Sequence, residues 1–102
     1  MSAWRLTAEA DEDLVTLFIQ GCDLFGVRQA GRYLDELEAV FPRLAANPEM
    51  ARLRLEFDPP LRVFSYKAHV ILYEVDHEAV RILRVRHGHE DWSSDPLGDD
   101  EP

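Results

Sequence analysis

Across residues 80–88, Val80-Arg81-Ile82-Leu83-Arg84-Val85-Arg86-His87-Gly88, apolar and β-branched residues interleave with three arginines. That alternation belongs to a strand with one face toward a core and the other toward water. Gly88 then releases the backbone from the ladder, and a polar knot follows, His89-Glu90-Asp91-Trp92. Upstream, Val70-Ile71-Leu72-Tyr73-Glu74-Val75 is a strand of similar length, and the polar Asp76-His77-Glu78 between the two predicts a hairpin. An apolar hairpin is not stable alone in water and needs a helical cover.

The first half of the chain supplies that cover. Ala3-Trp4-Arg5-Leu6 predicts a short first strand with Trp4 as its anchor in the core. Thr7 is placed to cap a helix with Glu9, Asp11 and Glu12 near its positive end. Leu14, Leu17, Phe18, Cys22 and Phe25 recur at helical spacing up to Gly26. A second stripe, Ala30, Tyr33, Leu34, Leu37, Phe41 and Leu44, runs to Asn47-Pro48 and predicts one further helix. So short a connection makes an antiparallel helical hairpin. From Arg52 the period changes to two, with Leu53, Leu55 and Phe57 on one face, which predicts a half-buried strand ended by Asp58-Pro59-Pro60. Leu61 to Tyr66 is a further extended segment, and Lys67-Ala68-His69 turns into the hairpin. Both faces of the Val70 to Val75 strand are apolar, while one helical hairpin covers one face. The other is expected to receive a partner.

The order of these elements, with the Ile-Leu-Tyr strand (Ile71-Leu72-Tyr73) and the Ile-Leu-Arg-Val-x-His-Gly strand ending in charged residues, resembles the ParE branch of the ParE/RelE toxin superfamily over most of residues 3–92. The resemblance implies an α+β fold, with a short N-terminal strand, an antiparallel helical hairpin and an antiparallel β-meander, the helices on one face of the sheet. It implies the toxin of a bacterial type II toxin-antitoxin pair that inhibits DNA gyrase by protein binding and is neutralised by a ParD-like, ribbon-helix-helix antitoxin. An amphipathic antitoxin segment would meet Leu17, Phe18, Tyr33, Leu37, Arg62 and Tyr73. The target would meet Arg86, His87, His89 and Trp92. By the same resemblance an arginine opening the middle strand packs near the terminal His-Gly segment, and Arg62 matches it by position. A homodimer, or a heterotetramer with the antitoxin, is compatible with this reading.

At 102 residues and 46% hydrophobic the chain builds one domain around one core. We place the toxin domain at residues 1–92 and an acidic, flexible tail at 93–102. The formal charge of -9 is uneven. Seven of the eleven basic residues lie between Arg52 and Arg86, whereas Glu90, Asp91, Asp95, Asp99, Asp100 and Glu101 crowd an end without Lys or Arg. Direct nucleic-acid binding is not expected from this balance. The tail keeps the protein soluble; a sharper reading folds its acids over the basic strands, weakening target contacts. The lone Cys22 cannot form an internal disulfide and reads as a small buried side chain. The start of the chain lacks a basic stretch leading into an apolar segment, and no apolar run reaches membrane-spanning length, so a cytoplasmic protein without membrane contact is expected.

Two chemical readings compete with surface recognition. His87 and His89, two apart, could begin a metal site with Glu90 or Asp91, but no further ligand converges, and neither metal nor other cofactor is expected. RelE-type relatives cut messenger RNA without metal, and His87, Arg62 and Arg84 could supply proton transfer and phosphoryl-charge stabilisation. Such enzymes are strongly basic and this chain is not. The reading is therefore a non-enzymatic toxin, with a ribonuclease or an inactive toxin homologue as alternatives.

Overall fold

The computed structural model describes residues 3–77 and 79–98; Glu78 and the tail acids Asp99, Asp100 and Glu101 lie outside the described residues. Thr7 caps the first helix as its position predicts, its hydroxyl accepting from the Ala10 amide at 3.0 Å. Strand β1 (Ala3–Leu6) leads into helix α1 (Ala8–Phe25), and Gly26 at φ 90° reverses the chain into α2 (Val27–Glu38). The second apolar stripe is two helices rather than one. Helix α3 (Val40–Ala46) begins after Ala39, because Pro42 has no N–H for the Glu38 carbonyl and its ring would strike that carbonyl in a continuous helix. Pro42 instead sits in the first turn of α3, where the missing donor costs nothing.

Strands β2 (Leu53–Arg54), β3 (Leu61–Tyr66), β4 (His69–Asp76) and β5 (Ala79–His87) complete a sheet of order β1-β5-β4-β3-β2. β2 to β5 form the expected antiparallel meander, and β1 joins β5 in parallel, Leu6 beside Ile82, so the sheet is mixed. The half-buried strand expected over Arg52 to Phe57 shrinks to two residues. Pro59 and Pro60 cannot donate to a ladder, Leu55 is left 73% exposed, and Phe57 turns to the far face of the sheet.

The helices cover one face of the sheet. Leu14, Leu37, Phe41, Leu44, Ile71, Tyr73 and Ile82 form the main core, and each fully buried aliphatic there contributes about 2 kcal/mol. Trp4 packs on Phe41 with ring centroids 5.2 Å apart, although it stays partly exposed. Cys22 is half-buried rather than buried.

The opposite face is not open, as the sequence suggested. Leu61, Val70 and Leu72 form a second cluster there, covered by Phe57, Trp92 and Leu97 of the same chain. Residues 92–98, expected largely as free tail, begin with a 3₁₀ turn (Trp92–Ser94) and run across this face as a strap. A bulge makes its anchors possible: Tyr73 pairs with Ile82 but Leu72 pairs with Arg84, so Leu83 is an extra residue. The extra residue restarts the alternation, which puts Arg84 and Arg86 on the strap side and Val85 and His87 on the helix side. Arg84 Nη1 donates to the Leu97 carbonyl at 2.6 Å, and Arg86 Nη1 donates to the Asp95 and Pro96 carbonyls at 3.0 and 2.8 Å.

Candidate functional site

β4 and β5 finish side by side at the end of the hairpin remote from its turn, and the register sets His69 directly opposite His87. Their rings lie 5.0 Å apart between centroids, and His89 stacks on His87 at 4.5 Å. The turn is tied down by main-chain bonds: Gly88 N–H donates to the Ala68 carbonyl at 2.8 Å and Glu90 N–H to the His87 carbonyl at 3.2 Å. A Cβ on Gly88 would stand 3.2 Å from that Ala68 oxygen, which favours glycine here. From α2, the Tyr33 hydroxyl reaches His69 Nδ1 at 2.7 Å. Burial lowers the His69 pKa, with a smaller push from His87 and an opposing pull from Glu90. Burial raises the Tyr33 pKa, so its hydroxyl stays protonated at neutral pH.

These rings form one wall of a cleft of about 450 Å³ between the tip of the helical hairpin and the β3–β4 turn. Leu17, Gly21, Leu24, Phe25, Ala30 and Tyr33 supply the rest of a largely apolar lining. Leu24 and Phe25 are 72% and 61% exposed, so the cleft opens onto an apolar helix tip. A smaller, polar cleft of about 220 Å³ adjoins it along β5, walled by Asp13, Gln20, Arg84 and Glu90.

Beyond Ile82 the edge of β5 away from β4 has no strand beside it, because β1 ends at Leu6. The freed main-chain groups are met by side chains. Thr7 Oγ1 donates to the Leu83 carbonyl at 2.9 Å, Asp13 accepts the Val85 N–H at 2.9 Å, and Glu90 accepts the His87 N–H at 3.0 Å. Asp13 also takes Arg84 in a two-pronged pair at 2.7 and 2.9 Å, with both side chains under one fifth exposed, and this pairing raises the Arg84 pKa. Glu90 in turn receives Arg86 Nη2 at 2.8 Å. Burial opposes ionisation of Glu90, but the bonds from Arg86 and the His87 amide outweigh it and hold its pKa down.

The residues expected to meet a target therefore divide between two faces. His87 and His89 border the cleft, whereas Arg86 and Trp92 lie on the strap side, Trp92 half-buried with its ring 5.9 Å from Phe57. Of the residues expected to meet an antitoxin, Leu17 and Tyr33 line the cleft and Phe18 is half-buried on α1. Leu37 and Tyr73 are a correction: both are fully buried between helices and sheet, and the Tyr73 hydroxyl is spent on the Pro48 carbonyl at 2.6 Å. Arg62 is a second. It donates to the Ala51 carbonyl at 2.6 Å and stands opposite Tyr73, four residues along β4 from the His69–His87 pair, ~13 Å at strand rise. Arg62 thus stands apart from His87 and Arg84, which both line the smaller polar cleft, where Arg84 is held by Asp13 and the strap. Among the described residues no group of three or more His, Cys, Asp or Glu is arranged to hold a metal.

His69 belongs to this site although the sequence placed it in a turn without a partner. Counting pairs back from the Asp76–Ala79 turn brings it within one residue of His87, and the bulge supplies the last step. Asp13 carried no signal, as one acid among several at a helix start.

A helical hairpin on one face of a mixed five-stranded sheet is a fold shared with a solved chain described as the chromosomal ParDE TA system from P. aeruginosa. The TM-score is 0.75 at 18% identity, over 85% of this chain and 96% of that one. This places the molecule in the small α+β class of that chain. The chain itself belongs to the ParE toxin family: the family model for the ParE toxin of the type II toxin-antitoxin system parDE matches residues 4–92. It is 39% identical to Toxin ParE3 of Caulobacter vibrioides over 82 residues, 80% of this chain and 82% of that one. It is 34% identical to Toxin ParE1 of Mycobacterium tuberculosis over 87 residues, 84% and 89% of the two chains. Among the described residues no helix is long and apolar enough to cross a membrane.

Proposed function

We propose that this ParE toxin inhibits DNA gyrase by protein contact, without catalysing a reaction, and is neutralised by a ParD-like ribbon-helix-helix antitoxin. The family match over residues 4–92 carries the reading. The apolar cleft supports the antitoxin half: Leu17, Tyr33, Leu24 and Phe25 offer bulky contacts at one end of a helical hairpin, the surface an amphipathic helix binds. Two features support the non-enzymatic half: Arg62 stands apart from His87, and Arg84, though it lines a cleft with His87, is neutralised by Asp13, whereas phosphodiester cleavage needs its acid, base and a free cation around one phosphate. The turn of residues 87–90 is assigned to the target, since its histidines are presented at a rim rather than sealed in the core.

The test is induced expression in a bacterial host with thymidine and methionine incorporation followed side by side. DNA synthesis stops first on this reading, and the wild-type protein inhibits gyrase supercoiling in a purified assay. Early failure of translation instead supports the ribonuclease. Absence of any growth effect indicates an inactive homologue. Co-expression of a ribbon-helix-helix protein encoded beside the toxin restores growth, and Phe25→Asp weakens that rescue by removing an anchor from the cleft rim.

A further inference from the structure

The strap and the histidine turn lie on opposite faces of the sheet, yet one side chain touches both. Arg86 donates from Nη1 to the Asp95 and Pro96 carbonyls of the strap and from Nη2 to Glu90. Glu90 spends its other oxygen on the His87 N–H at 3.0 Å. The arginine is 14% exposed, and three acceptors from two segments fix its planar head. We infer that Arg86 is a positioning residue: through Glu90 it lets the C-terminal strap set the shape of the turn of residues 87–90, and with it the His87–His89 stack. This rests on the reading that the turn faces the target. A chain bearing the same histidines without the strap contact presents them in many conformations, and ordering them on binding weakens the complex.

The relay makes the strap a support for target binding and reverses the sign expected of an acidic tail that shields basic strands. The contacts described run from Arg84 and Arg86 to the main-chain carbonyls of Asp95, Pro96 and Leu97.

The experiment uses the full-length protein with Arg86→Gln, Arg86→Lys and Glu90→Gln, read by the ring-proton NMR signals of the histidines and inhibition of gyrase supercoiling. In Arg86→Gln the His87 and His89 signals move toward those of free histidine while core methyl signals of Ile71 and Leu37 stay in place. The inhibitory concentration rises about tenfold, the size of a lost interface anchor. Lysine does not rescue, because an ammonium cannot span carbonyls and carboxylate as a guanidinium does. Glu90→Gln, at a half-exposed site that tolerates change, moves the same two histidines in the same direction and guards against a folding failure at residue 86. Histidine signals unchanged in both variants overturn the relay, and so does an inhibitory concentration that stays at the wild-type value in Arg86→Gln. A wild-type protein that leaves gyrase untouched overturns the target reading and Arg86's role in it, while the ring signals still decide whether strap and turn are coupled.

Discussion

Tyr73 marks the difference between a residue that patterns as surface and one that is core. It alternates correctly on an apolar strand, but the face it shows is the covered one, and its hydroxyl ends on the Pro48 carbonyl. Tyr73→Phe leaves the ring in place and that carbonyl without its donor, a cost of about 1 kcal/mol and a fall in Tm of about 5 °C for a domain of this size. A thermal melt checks it, and antitoxin affinity should not change. His69 yields a prediction in pH. Burial holds its pKa below the ordinary 6.5, His87 pushes the same way and Glu90 pulls back, with the protonated Tyr33 hydroxyl at its Nδ1. As pH falls past 6.5 the unfolded chain takes up a proton that the folded chain still refuses, so unfolding gains down to the folded-state pKa. The urea midpoint is therefore lower at about pH 5.5 than at about pH 7.5, and His69→Gln loses less between the two. An equal loss in wild type and variant would place the effect on another group.

At the scale of elements, the helix start at Thr7, the reversal at Gly26 and the two long strands were legible, because each has a local cause within a few residues. What escaped was decided by pairs remote in sequence. The extra residue at Leu83 turns Arg84 and Arg86 to one face and His87 to the other, and no periodicity across residues 80–88 reveals a bulge set by the partner strand. Pro42 was legible in principle: a proline inside a continuous apolar stripe divides it at the residue four before. The unpaired edge of β5 likewise depends on β1 stopping at Leu6, and Asp13, 72 residues from Val85, closes it. Asp13→Ala strands a half-buried guanidinium and an edge N–H, and should cost about 2–3 kcal/mol in chemical denaturation. Arg84→Met removes the other partner, so the double variant should cost less than the two single losses combined. Simple additivity would mean the pair is not a pair in solution.

For the whole molecule, the question is how 102 residues with one helical hairpin cover a sheet that is apolar on both faces. Composition pointed to a partner for the second face, since the last residues look too polar to pack. Yet Trp92 and Leu97 are the two apolar side chains in that stretch, and both reach the Leu61, Val70 and Leu72 cluster while the two arginines hold the carbonyls between and beside them. A short segment with apolar residues five apart has no helical or strand period, so pattern reading registers it as tail. Among the described residues the same arrangement leaves the cleft at the helix tip as a broad apolar surface still open. A chain ending at Asp91 tests this economy of cover directly. Against a reference ending at Gly98, which keeps every contact described, it uncovers Leu72 and Val70 and removes the strap carbonyls from Arg84 and Arg86, leaving them their pairs with Asp13 and Glu90. The expected loss is about 2–3 kcal/mol in urea, the worth of two partly buried apolar side chains, together with binding of a dye specific for exposed apolar surface. If the shorter chain proves equally stable and dye-silent, the strap lies loosely over its sheet, and the second face returns as a surface for a partner.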